Sequence, residues 1–303
     1  MCLMSLEKSL SSIELTNEFI NKKASFLARL GSGSASRSIE GPLVVWGNHP
    51  DIKGSSDVFG VPFPYEVHEV FKNYHDAILL VDKGEKQVSS TVGHDLMHNH
   101  PFATQRFDQA NENLAKISKI LQNGDINSFI NLVESEALSL HAMMLTSNPY
   151  FILMKPNTLE IINAIWRYRN HTGSKVCFTL DAGANVHVLY PANESETVTQ
   201  FIDNELSKFC QKNHYICDVV GLGPNFMDQY LDDIVPRPEP QAGPQIAQSN
   251  TIKANTTRST VQTAQRTDIG AILRTQTKSV QLFGLLAADS TTNFVRANQT
   301  NQS

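Results

Sequence analysis

Three successive apolar periods of helical spacing, followed by two strand-length runs closed by a tight turn, most constrain what this chain can fold into. Phe107, Ala110, Leu114, Ile117 and Leu121 form the first period, Ile126, Phe129, Val133, Ala137 and Leu140 the second, and Leu159, Ile162, Ile165 and Trp166 the third. The runs Val176 to Leu180 and Val186 to Tyr190 flank Asp181-Ala182-Gly183, which predicts a hairpin. A helix through Val198, Phe201, Ile202 and Phe209 follows, and a strand over Ile216 to Val220 closes the segment. Helices packed on one face of a mainly antiparallel sheet is the economical architecture for that order.

Ahead of this segment, Leu3, Leu6, Leu10 and Ile13, then Phe19, Ile20, Leu27 and Leu30, predict one or two amphipathic helices that stop at Gly31. The chain opens on residues that read as buried, with no capping residue before them, as a fragment beginning inside a longer helix would. Leu43 to Trp46 and Ala77 to Val81 have strand length and are separated by a loop rich in Gly, Pro and Asp. From Val235 a proline recurs at every second position up to Pro240, and Thr, Gln, Asn, Ser and Ala dominate thereafter. That composition buries too little apolar surface to offset chain entropy, so disorder is expected, apart from a short helix or sticky segment over Val280 to Ala288. The expected division is 1–72 for a first lobe, 73–234 for a second, and 235–303 for a polar tail.

A chain of 303 residues has room for about two domains, and its net charge of -5 lacks the concentrated basic face of a nucleic-acid binder. Cys2, Cys177, Cys210 and Cys217 lack the pattern of a disulfide framework, which suits a reducing, cytoplasmic setting. The first residues resemble no signal peptide, and no apolar run has the length of a membrane span.

Several groups could carry chemistry. In Gly31 to Ser38 the glycines permit close backbone approach, Ser32, Ser34 and Ser36 bring hydroxyls, and Arg37 brings a planar fork suited to carboxylate or phosphate. The same residues also fit a Gly-Ser turn capped by Ser34. Asp181, at the end of an apolar strand, is either an acid held rigidly for catalysis, braced by Asn185, or a turn residue bonded to its own amides. Ser89-Ser90-Thr91-Val92-Gly93 fits a second anion-binding end or an ordinary helix cap. His94, His98 and His100, with Asp95, have metal-ligand types, but Asn99 and Pro101 end the helix that would align them, so no metal site is assigned. Cys210, His214 and Cys217 read as core and surface residues rather than ligands.

Taken jointly and in chain order, the opening helix, Gly31 to Ser38, Ser89 to Gly93, Leu140-His141-Ala142-Met143-Met144, and Asp181-Ala182-Gly183-Ala184-Asn185 resemble the mevalonate diphosphate decarboxylases. These belong to the superfamily named for galactokinase, homoserine kinase, mevalonate kinase and phosphomevalonate kinase. The resemblance, over residues 1 to about 234, implies an α+β, two-lobed small-molecule-kinase-like fold. Its first lobe is incomplete, and its second packs helices on an antiparallel sheet. It further implies ATP-dependent decarboxylation of mevalonate 5-diphosphate to isopentenyl diphosphate, with ATP and Mg2+ as cofactors, in a cytoplasmic homodimer without nucleic-acid or membrane partners. By resemblance Asp181 is the acid–base group, Arg37 holds the substrate carboxylate, and Ser32, Ser34 and Thr91 contact the diphosphate.

The chain departs from the family pattern in two ways. Ala184 stands where the family has proline. The Lys-and-Trp substrate segment and the Gly/Ser-rich ATP loop, both expected upstream of the opening helix, are not recognised, so ATP-binding residues stay unassigned. Impaired activity and exposed apolar faces on the first lobe are expected in consequence. A non-catalytic remnant or interaction module, and a related small-molecule kinase, are the competing readings.

Overall fold

The computed structural model describes residues 2–31, 33–84, 96–97 and 99–221, with only the backbone of Cys2, Ser5 and Ser34. Two helices, α1 (Cys2–Leu10) and α2 (Asn17–Gly31), lead into a 3-10 turn over Gly33–Ser38. Strands β1 (Val44–Val45) and β2 (Val61–Pro62) then pair antiparallel, with α3 (Glu69–Lys72) after them. Next come β3 (Tyr74–Leu79) and the helices α4 (Ala103–Asn123), α5 (Ile126–Thr146) and α6 (Pro156–Thr172). Strands β4 (Cys177–Leu180) and β5 (Val186–Pro191), helix α7 (Ser195–Phe201) and strand β6 (Tyr215–Val219) complete the described chain. The three long helices and the hairpin fall where the apolar periods predict them, and left-handed Gly124 and Gly173 end α4 and α6.

The main sheet has the order β4-β5-β3-β6, antiparallel throughout. Side chains alternate between its faces. On one face Ala77, Leu79, Phe178, Val188 and Tyr190 pack with Ile161 and Ile165 of α6 and Val198 and Phe201 of α7. On the other, Tyr74, Cys177 and Leu189 join Leu114 and Leu121 of α4 and Phe129 and Val133 of α5. All four residues of β4 and all six of β5 are buried. The expectation of helices on a single face is therefore corrected: the two strands are covered on both sides, as their near-continuous apolar runs require. The second core also takes in Leu43, Val45 and Val61, so it runs across residue 72.

The opening helices also differ from expectation. Leu3, Leu6, Leu10 and Ile13 are exposed, and among the described side chains of α1 it is Met4 that is buried, against Ile20 and Ala24 of α2. Phe19 and Leu30 are exposed as well. No helix among the described residues is long and apolar enough to cross a membrane.

Candidate functional site

The 3-10 turn that carries Arg37 is tied down from two sides. The Ser25 hydroxyl on α2 donates to the Ser36 carbonyl at 2.7 Å and accepts from the Gly60 amide at 2.8 Å, which links α2, the turn and the start of β2. Ser36 donates its own hydroxyl to the Gly33 carbonyl at 2.8 Å, so it serves the turn and not a ligand. Gly33 lies against the Trp46 indole, where a Cβ would come within 2.7 Å of the ring, so this glycine serves packing instead of ligand approach.

Arg37 is only 6% exposed, and its Nε and Nη1 have no hydrogen-bond partner among the described residues. Burial pushes its pKa down to about 10, which leaves the guanidinium charged at neutral pH. A buried charge without a partner is costly, and an anion brought against those two N–H groups would offset that cost. Ser32, whose hydroxyl is expected near this anion, and Thr91 lie outside the described residues, as do His94, Asp95 and His98. His100 is in the core: its Nδ1 accepts from the Phe102 amide, and its Nε2 lies 3.1 Å from the Met143 carbonyl. Cys210 is likewise buried within the core against the sheet.

Asp181 begins the turn between β4 and β5. Its carbonyl accepts from the Gly183 amide at 2.7 Å and from His141 Nε2 at 3.1 Å. Two further grips hold the same turn. Thr158, fully buried at the start of α6, donates to the Ala184 carbonyl at 2.7 Å and accepts from the Lys155 amide at 3.1 Å. Asn185 Oδ1 accepts from the Asp82 amide at 3.0 Å. Asn185 therefore braces the loop after β3. Thr158→Val keeps the shape but leaves the buried Ala184 carbonyl and the part-buried Lys155 amide unpaired, and should cost about 1–3 kcal/mol in urea unfolding. No loss would show that water satisfies those groups instead.

Helix α5, which carries His141, is itself fixed by two buried ion pairs. Glu136 meets Arg106 of α4 at 2.5 Å and accepts from Asn113 at 2.6 Å. Glu134 meets Arg169 of α6 at 2.6 Å and accepts from Trp166 Nε1 at 2.9 Å. These partners lie 30 or more residues away in sequence, apart from Asn113 at 23, which is why residue spacing does not point to them. Ala182 packs on an apolar cluster of Met97, Met143, Met144 and Leu153, so the Asp181 turn stands on a dry base. Among the described residues there is no cluster of three or more metal-ligating side chains.

Asp181 thus lies on a braced turn at the end of an antiparallel sheet, and Arg37 is buried with Nε and Nη1 unpartnered among the described residues. The sequence model of the family described as "Mevalonate 5-diphosphate decarboxylase C-terminal domain" matches residues 77–275. The chain belongs to the mevalonate 5-diphosphate decarboxylase family. It is 30% identical over 175 residues to diphosphomevalonate decarboxylase mvd1 of Aspergillus fumigatus, covering 57% of this chain and 43% of that protein. Among solved structures, mevalonate diphosphate decarboxylase from Staphylococcus aureus superposes with a TM-score of 0.59 at 27% identity, over 73% of this chain and 62% of that one. The decarboxylase from Enterococcus faecalis, studied for mevalonate diphosphate mediated ATP binding, gives 0.56 at 26% identity, over 67% and 59%. The chain thus spans less than half the length of the A. fumigatus decarboxylase. The likeness to solved decarboxylases bears out the α+β fold, and the family match runs past residue 234 into residues outside the described set.

Proposed function

We propose that this chain carries the acid–base and carboxylate-holding part of a mevalonate 5-diphosphate decarboxylase site, acting in ATP-dependent formation of isopentenyl diphosphate. The observation that carries the reading is the buried Arg37 guanidinium with Nε and Nη1 unpartnered among the described residues, in a chain of this family. Arg37 holds the substrate carboxylate. Asp181, on its braced turn, orients the tertiary hydroxyl and accepts its proton as the oxygen takes a phosphoryl group. ATP with Mg2+ supplies that group; a relative has been solved with AMPPCP and magnesium. Phosphate then leaves while the carboxylate is lost as carbon dioxide, and the electron pair of the broken carbon–carbon bond becomes the new double bond. Ser32, Ser34 and Thr91 contact the diphosphate. The reading extends to a cytoplasmic homodimer, with no nucleic acid or membrane as partner.

Phosphoryl transfer rests on positioning of the nucleotide phosphates. No ATP loop is recognised in the 303 residues, so the chain assayed alone should release no carbon dioxide from mevalonate 5-diphosphate and ATP. With the preceding portion of the S. aureus decarboxylase joined ahead of Met1, carbon dioxide, phosphate and ADP should appear in equal amounts. A phosphorylated product without carbon dioxide would point to a kinase instead. A folded chimaera that binds both substrates and turns over neither would support the non-catalytic reading.

A further inference from the structure

His141 belongs to the Leu140-His141-Ala142-Met143-Met144 motif, and nothing in the mechanism above uses it. It is 1% exposed and lies two helical turns beyond Glu134, on the same face of α5. A carbonyl oxygen can only accept, so the 3.1 Å contact with Asp181 requires the proton to sit on Nε2 of the ring. Burial lowers the imidazole pKa below its usual value, against a smaller opposing pull from Asp181, so the ring is neutral at pH 7. The Asp181 carbonyl also takes the Gly183 amide, so both of its lone pairs are engaged. The direction of the 181–182 peptide is then set from α5.

That direction matters for the acid. A Cβ on Gly183 would come within 3.2 Å of Asp181 Oδ1, so the carboxylate leans over this glycine and moves with the turn. We propose that His141 is a positioning residue: by donating from Nε2 to the Asp181 carbonyl it holds the acid–base turn, and through it the Asp181 carboxylate, in register with helix α5. The link from turn to catalysis rests on the assignment of Asp181 made above; the link from His141 to the turn does not.

Isotope-labelled wild-type chain, His141→Gln and His141→Phe, each as the full 303 residues, provide the test. Glutamine places an amide donor near the position of Nε2, and phenylalanine keeps a ring without a donor. Wild type should show a slowly exchanging ring N–H on Nε2 of His141. In His141→Phe the Gly183 amide should exchange about five- to tenfold faster, the size of one ordinary hydrogen bond, and the Asp181 carboxyl carbon should shift. His141→Gln should return both signals to wild-type values, while amides in the centre of β5 stay unchanged in all three. A role in packing alone would reverse the order, with Phe tolerated and Gln not, and would overturn the proposal. If His141→Phe does not fold, the ring proton and the Gln variant still decide: an Nδ1-bonded proton, or a Gln variant with an unprotected Gly183, rejects the inference. None of these signals needs turnover, so an inactive chimaera would count against the proposed function without touching this result.

Discussion

In the chimaera, Asp181→Asn should lower kcat by about 10²- to 10⁴-fold, the range for loss of a general base, with the affinity for mevalonate 5-diphosphate nearly unchanged. The amide keeps the shape and hydrogen-bonding reach of the acid but cannot accept the hydroxyl proton. The carbonyl contacts to His141 and Gly183 are made by the backbone, so the turn survives the substitution. Arg37→Ala should act differently, raising KM and lowering kcat together, because it removes charged donors that both bind the carboxylate and orient the substrate for transfer. Steady-state kinetics on the two variants separates these roles. Loss of affinity alone in both would contradict them.

Glu136→Ala should be among the most destabilising single changes in the described chain, at about 3–5 kcal/mol in denaturant unfolding. The Glu136 side chain is 2% exposed and that of Arg106 16%, so truncation strands a mostly buried guanidinium and also frees the Asn113 amide. Removing both charges together, as in Arg106→Met with Glu136→Leu, should recover most of the loss, because the penalty lies in the uncompensated charge and not in the missing attraction. A single variant that unfolds like wild type would show that Arg106 reaches water. The ion pair would then have no part in holding α5 for His141.

Much of the architecture was legible because it is local. The helices over 103–172 follow from apolar spacing, and the hairpin from two apolar runs about a glycine turn. Even the error about the sheet could have been avoided: Val186-His187-Val188-Leu189-Tyr190 is nearly continuous in apolar character, the pattern of a strand buried on both faces. The opening helix misled for the opposite reason. The repeat of Leu3, Leu6 and Leu10 describes a face, but only tertiary contact says whether a face is covered, and among the described side chains of α1 it is Met4 that is buried. The place of Asp181 in the turn was legible from its motif, its supports were not. Asn185 reaches an amide 103 residues away, His141 a carbonyl 40 residues away, and Thr158 one 26 residues away. Arg37 was singled out by resemblance, while the absence of partners for its Nε and Nη1 among the described residues is visible only once the chain around it is folded.

For the proposed site to act, Arg37 and the Asp181 turn must address one ligand. The most direct measurement is a nuclear magnetic resonance titration of the 303-residue chain with mevalonate 5-diphosphate, following Arg37 Nε–H and the Gly183 amide together. The prediction is that both signals move along one saturation curve with a single Kd, and that Arg37→Ala abolishes the response at Gly183. An Arg37 signal that stays still while Gly183 moves, or two curves with different Kd values, would contradict it.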